Sequence, residues 1–212
     1  MIKSLLKPFA FAVVFLFLLG FVFPTLTSIV TEKALPFQSS GSPVTINGKV
    51  YGSYMIAEAF NSSVFFHPRP SAIGYNMSTS GGYSYSIDSN QTLNLTQHYI
   101  KKFEQENPGI NMSQIPEAMV SYSASGLDPN IPVLGAYDQV PRIATAIYNL
   151  SLNKSLNLSV SNIYAILNDS INRNERQNFP IFGSYYVNTV ELNIDILKLL
   201  MAENILPKSF LQ

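Results

Sequence analysis

FAFAVVFLFLLGFVF, residues 9–23, decides the architecture of this chain. The run carries no charge, and the uncharged stretch around it extends from Pro8 to Thr31, 24 residues in all. In a helix these residues rise about 36 Å, enough to cross a hydrocarbon core of about 30 Å. A cleaved signal peptide is the rival reading, because the most apolar part is nearer fifteen residues. The stretch that follows, PTLTSIVTEKALP (24–36), offers no small-x-small cleavage site. The sequence therefore predicts an uncleaved transmembrane anchor over residues 1–32. Gly20 and Pro24, near its outer end, are features that membrane helices tolerate.

Working outward, Lys3 and Lys7 precede the span, and Glu32 and Lys33 follow it. Positive residues favour the cytoplasmic side, which predicts a single-pass protein of the cell membrane with its N-terminus inside. The remaining chain then lies outside the cytoplasm. Asn-x-Ser/Thr triplets begin at Asn61, Asn76, Asn90, Asn94, Asn111, Asn149, Asn153, Asn157 and Asn168, all beyond the anchor. Such triplets are N-glycosylation acceptors only on the translocated side, so their distribution agrees with the lysines.

Beyond the anchor, residues 33–43 read as a linker, with PFQSSGSP (36–43) at its end, and 44–212 as one domain. Formal net charge is zero and charged residues make up 12% of the chain, with no basic stripe. Duplex binding draws its affinity from neutralised phosphates, so nucleic acid is excluded as a partner. The scarcity of charge fits either a surface of neutral polar residues or a domain facing acid, where carboxylates contribute little. The chain has no cysteine, which removes disulfides, thiolate metal sites and thiol nucleophiles.

The expected fold is α+β. VTINGKVYGS (44–53) has two β-prone runs around Asn47-Gly48, a hairpin dipeptide. Tyr54–Phe60 reads as a short helix and Val64–Phe66 as a buried strand. Residues 69–89 read as a long ordered loop. Leu95, Tyr99 and Phe103 repeat every four residues, predicting a helix over 93–106 that Asn107-Pro108-Gly109 stops. Residues 118–122 and 181–187 read as strands. Residues 136–150, 160–171 and 190–201 read as helices, with Pro141 in the first turn of its helix. Strands and helices alternate without a regular βαβ rhythm.

Catalytic signatures are sparse. Walker A, GxSxG and HExxH patterns do not occur, and His67 and His98 are the only histidines. No metal site is expected. Three stretches stand out instead. In FFHPRPSA (65–72), prolines flank Arg69 and restrict the backbone that projects His67 and Arg69. In SGGYS (80–84), the glycine pair permits positive φ or a close backbone approach. SASGLDPNI (123–131) runs through a glycine turn towards QVPRIA (139–144), which opens a helix with Gln139 and Arg142.

Together with VNTVELNIDIL (187–197), and in this order behind one anchor, these motifs resemble the C subunit of the Kdp potassium-transporting ATPase family. The resemblance implies a non-catalytic accessory subunit of an ATP-driven potassium uptake complex. Its partners would be a channel-like potassium-binding subunit, a P-type ATPase subunit and the lipid bilayer. It also implies a role in assembly and stabilisation, described in that family as a catalytic chaperone that raises affinity for ATP. Carried over, the positions of interest are His67, Arg69, Ser71, Gly81, Gly82, Ser125, Gly126, Leu127, Asp128, Gln139, Pro141 and Arg142. The resemblance implies no cofactor of its own beyond that proposed ATP contact. ATP lies on the cytoplasmic side, opposite the predicted domain, so the sequence favours the assembly role. The competing readings are a glycosylated, membrane-anchored surface-binding protein without a transport partner and an anchored hydrolase using His67 and His98.

Overall fold

The computed structural model describes residues 2–46, 48–154, 156, 158–179 and 182–206. The chain divides into two compact units, Met1–Pro43 and Val44–Gln212. In the first, helix α1 (Ile2–Phe17) passes through a π-helical turn (Leu18–Val22) into α2 (Phe23–Ala34). Leu6–Ala34, 29 residues, is long and apolar enough to cross a membrane. The π-turn sits where Pro24 demands it. A proline has no N–H, and its ring collides with the carbonyl four residues back, here that of Gly20. Phe23 N–H instead reaches Leu18 O, five residues back, which is the register shift of a π-bulge. Thr27 and Thr31 donate their hydroxyls to Phe23 O and Thr27 O at 2.8 and 2.9 Å, which suits polar side chains on a helix bound for lipid. Leu35 leaves the helical region, and Pro36–Ser39 forms a single turn, α3.

The second unit mixes helices and strands, as the sequence predicts. Strands β1 (Pro43–Ile46) and β2 (Lys49–Ser53) form the expected two-stranded sheet, while Asn47 of its turn lies outside the described residues. After a long segment without regular structure come α4 (Asn90–Glu106), a 3-10 turn (Met112–Gln114) and α5 (Glu117–Val120). There follow β3 (Asn130–Pro132), α6 (Val133–Tyr137), α7 (Val140–Asn153), α8 (Val160–Asn174), β4 (Arg176–Gln177), β5 (Tyr185–Asn188) and α9 (Thr189–Ala202). Side-chain caps start three of these helices: Ser89 accepts from Thr92 N–H, Ser159 from Asn162 N–H, and Asn188 from Val190 and Glu191 N–H.

The second sheet is antiparallel, in the order β3-β5-β4, and places Ile131 opposite Val187. Both residues are buried in the main core. Helix α7 adds Val140, Ile143, Ala144 and Ile147, and α8 adds Ile163, Leu167 and Ile171, at helical spacing. Helix α9 is apolar on two sides. Leu192, Ile196 and Leu200 face the main core, whereas Val190 and Ile194 meet Val44 of the hairpin in a smaller cluster.

Several expectations fail for identifiable reasons. Tyr54–Phe60 is a turn followed by irregular chain, because Ala57 N–H is drawn to Leu127 O at 2.9 Å. Val64–Phe66 is buried at its two ends but, among the described residues, has no strand beside it. Residues 118–122 contribute to one helical turn, α5, following Pro116. Met119 and Val120 are buried side by side, and so short an apolar run does not distinguish helix from strand. The helix expected over 136–150 is two, α6 and α7, broken at Asp138-Gln139 before Pro141. Strand β5 begins only at Tyr185, and Ile181 lies outside the described residues.

Candidate functional site

The motif residues gather into two hydrogen-bonded knots built on the 65–72 segment. In the first, buried amides hold the backbone of residues 66 and 67. Asn193 on α9 accepts from Phe66 N–H at 2.7 Å and donates to Phe66 O at 2.9 Å. Gln139 accepts from His67 N–H at 2.7 Å and donates to His67 O at 3.2 Å and to Gly135 O at 3.1 Å. Each amide supplies one donor and one acceptor, which is what a neighbouring β-strand would have offered. The segment is thus satisfied in the core without a sheet.

Arg142, on the first turn of α7, extends this knot. Its guanidinium donates to Asn107 Oδ1 (3.0 Å), Ser63 O (2.7 Å), Phe65 O (3.0 Å) and Gln139 Oε1 (2.7 Å). Burial lowers its pKa to about 10, against the opposing influence of Glu106, so it remains a cation at neutral pH. His67 lies with Nδ1 at 3.1 Å from Glu106 Oε2 and Nε2 at 3.1 Å from Ser62 O. Pro141, the other site residue here, is exposed at the helix start.

The second knot fixes the long loop. Arg69 donates to Ala118 O (3.2 Å), Tyr122 O (3.4 Å) and Asp128 Oδ2 (3.3 Å). Asp128 turns its other oxygen to the backbone and side-chain N–H groups of Asn130. Ser71 donates to Gly126 O at 2.7 Å and accepts from Tyr75 N–H at 3.0 Å. Gly81 N–H donates to Ser125 O at 2.9 Å, and a Cβ on Gly82 would lie 3.0 Å from Ala124 O. Gly126 has φ +71° and packs so closely that a Cβ there would approach Ile73 Cγ1 to 2.6 Å. Leu127 contributes its carbonyl, to Ala57 N–H. Tyr83 then stacks its ring edge-on to Tyr122, 4.9 Å between centroids.

A cavity of about 230 Å3 opens between the two knots, lined in part by His67, Pro68, Tyr75, Tyr99 and Glu106. Burial, reinforced by Tyr99 and Glu106, pushes the Tyr75 hydroxyl up to about 12. That hydroxyl stays protonated and donates to Arg69 O at 2.9 Å.

Sequence reasoning missed Asn193, Glu106, Asn107 and Tyr75. Asn193 left one signal, an amide between Leu192 and Ile196 on an otherwise apolar helix face. Of the asparagines that open Asn-x-Ser/Thr triplets, Asn61, Asn76, Asn90, Asn94, Asn111, Asn149 and Asn153 are exposed and Asn168 is half-buried, while Asn157 lies outside the described residues.

Comparison with known families decides the assignment. A family model described as KdpC, the K+-transporting ATPase c chain, matches residues 5–198. The chain belongs to the KdpC family. Among its relatives are the potassium-transporting ATPase KdpC subunits of Thermoplasma acidophilum and Thermoplasma volcanium. The first is 60% identical over 199 residues, covering 94% of this chain and 95% of the relative. The second is 60% identical over 201 residues, covering 95% and 94%. That of Caldanaerobacter subterraneus is 31% identical over 196 residues, covering 92% of this chain and 95% of the relative. Membership in the KdpC family places the chain in potassium transport, as a membrane subunit of a P-type ATPase. Most of the positions by which the sequence resembles that family hold backbone segments to one another.

Proposed function

We propose that this chain is the accessory subunit that assembles and stabilises a potassium-transporting ATPase complex. The observation that carries this reading is where the motif side chains spend their hydrogen bonds. Arg69, Ser71, Gln139 and Arg142 donate largely to main-chain carbonyls of the same domain. Groups committed in this way hold a surface in a fixed shape, and a pre-shaped surface loses less entropy on docking.

In this proposal the helix crosses the bilayer with its N-terminus in the cytoplasm. The folded domain caps the extracytoplasmic potassium entrance, beside a channel-like subunit and a P-type ATPase subunit. Within lipid, association rests on packing, and Ala10, Ala12 and Gly20 are the small residues offered for it. The lysines before the span support this sidedness. On that arrangement any effect of the domain on the pump's affinity for ATP passes through the assembled complex, without contact with the nucleotide. Family membership favours this reading over a surface-binding protein with no transport partner.

Extraction in mild detergent followed by co-purification tests the proposal. The chain should emerge with two larger membrane proteins, and its emergence alone would refute the reading. Protease added to intact cells should remove the domain, and protection until the cells are permeabilised would reverse the sidedness.

A further inference from the structure

His67 has an acceptor at each ring nitrogen. Nδ1 lies 3.1 Å from Glu106 Oε2, and Nε2 lies 3.1 Å from the carbonyl of Ser62. That carbonyl already accepts from Phe65 N–H at 3.1 Å and has no proton to give. Nor does Glu106. Its carboxylate also pairs with Lys102 Nζ at 3.8 Å and feels the charge of Arg142, so at neutral pH it accepts and does not donate.

A neutral imidazole carries one N–H and one lone pair. Either tautomer would set a nitrogen lone pair against an oxygen lone pair at hydrogen-bond distance. Only the imidazolium donates at both ends. We infer that His67 is a proton-binding site, where one proton taken from bulk water ties residues 62–67 to the C-terminal end of α4.

The surroundings support a cation there. Helix α4 presents Glu106, Lys102 and Tyr99, the loop presents Tyr75, α7 presents Arg142, and α5 adds only Met119. Glu106 is the last residue of α4, so the negative end of the helix dipole lies beside the ring as well as the carboxylate. The two cations do not compete for the same contact. Lys102 is mostly exposed and reaches the other oxygen of Glu106 at 3.8 Å. Arg142 is committed to Asn107, Ser63, Phe65 and Gln139.

The consequence is a latch that acidity closes. When the ring gives up its proton, one of its two contacts turns repulsive. The end of α4 is then released from the His67 ring, at the wall of the 230 Å3 cavity, while the backbone of residues 66 and 67 stays held by Asn193 and Gln139. The latch responds to the medium that bathes the domain, independently of any nucleotide or of the pump's own chemistry.

The test uses the full chain in detergent micelles, labelled with nitrogen-15 at histidine. The chain has two histidines, and exposed His98 is the internal reference. As the pH is raised stepwise, both nitrogens of His67 should still carry protons at the pH where His98 has lost one. A single protonated nitrogen on His67 at that pH would overturn the inference. A second measurement follows the unfolding midpoint from about pH 6 to about pH 8.5, which should fall in the native chain. His67→Asn keeps one uncharged donor and should flatten that slope. An unchanged slope in this variant would count equally against the latch.

Discussion

Asn193→Leu is the substitution that tests the architecture most directly. Asn193 is 1% exposed and pairs both polar groups of Phe66, whose side chain is itself fully buried. Leucine matches the amide in size, so little cavity forms, but it leaves Phe66 N–H and C=O without partners. Each unsatisfied buried group costs about 1–3 kcal/mol, giving a loss of about 2–6 kcal/mol for the pair. For a domain of this size each kcal/mol lowers the midpoint by about 2–4 °C, so Tm should fall by about 5–15 °C. Thermal melting of the full chain in micelles measures the shift in Tm, and denaturant unfolding followed by circular dichroism measures the loss and the slope. The slope should hold, because the surface exposed on unfolding barely changes. A loss below about 0.5 kcal/mol, the range of ordinary surface substitutions, would show that the amide does not stand in for a missing strand.

Gly126→Ala should destabilise by more than about 1 kcal/mol, because alanine at positive φ is strained and its Cβ would meet Ile73 and Gly81 O. Gly109→Ala, at φ +96° in open space, should cost less, and equal losses would discount the packing argument. Glu106 is held below the usual carboxylate range in the folded chain, so its contribution is present above the unfolded value of about 4.3 and lost as pH falls through the folded one. Glu106→Gln should therefore reduce the acid-induced drop in stability, which a pH series of melting curves would reveal. Arg142→Lys should lower Tm and weaken co-purification with the larger subunits, since one ammonium cannot serve four divergent acceptors; unaltered melting would refute that.

The features legible in the sequence are those set by neighbours along the chain. The membrane helix follows from an uncharged run and the 1.5 Å helical rise. The helices at 90–106, 140–153, 160–174 and 189–202 follow from apolar spacing, with Ser and Asn caps at several starts. The hairpin follows from two β-prone runs around a turn dipeptide. The motifs were visible too, since proline and glycine pairs restrict or free a backbone wherever they stand.

Tertiary structure alone decided what the motifs are for. Asn193 meets Phe66 across 127 positions of sequence, and Gln139 meets His67 across 72. No local pattern encodes a bond of that span. The segment at 64–66 reads as a strand because it is apolar and buried, yet its backbone partners are the amide of Asn193 on α9, the guanidinium of Arg142 on α7 and the carbonyl of Ser62. Residues 54–60 misread for the same reason, since the carbonyl of residue 127 claims the N–H of Ala57, and Arg69 holds the carbonyls of residues 118 and 122 in a helical turn that a short apolar run does not reveal. A buried peptide group must find a partner, but which partner it finds depends on what the fold brings within about 3 Å.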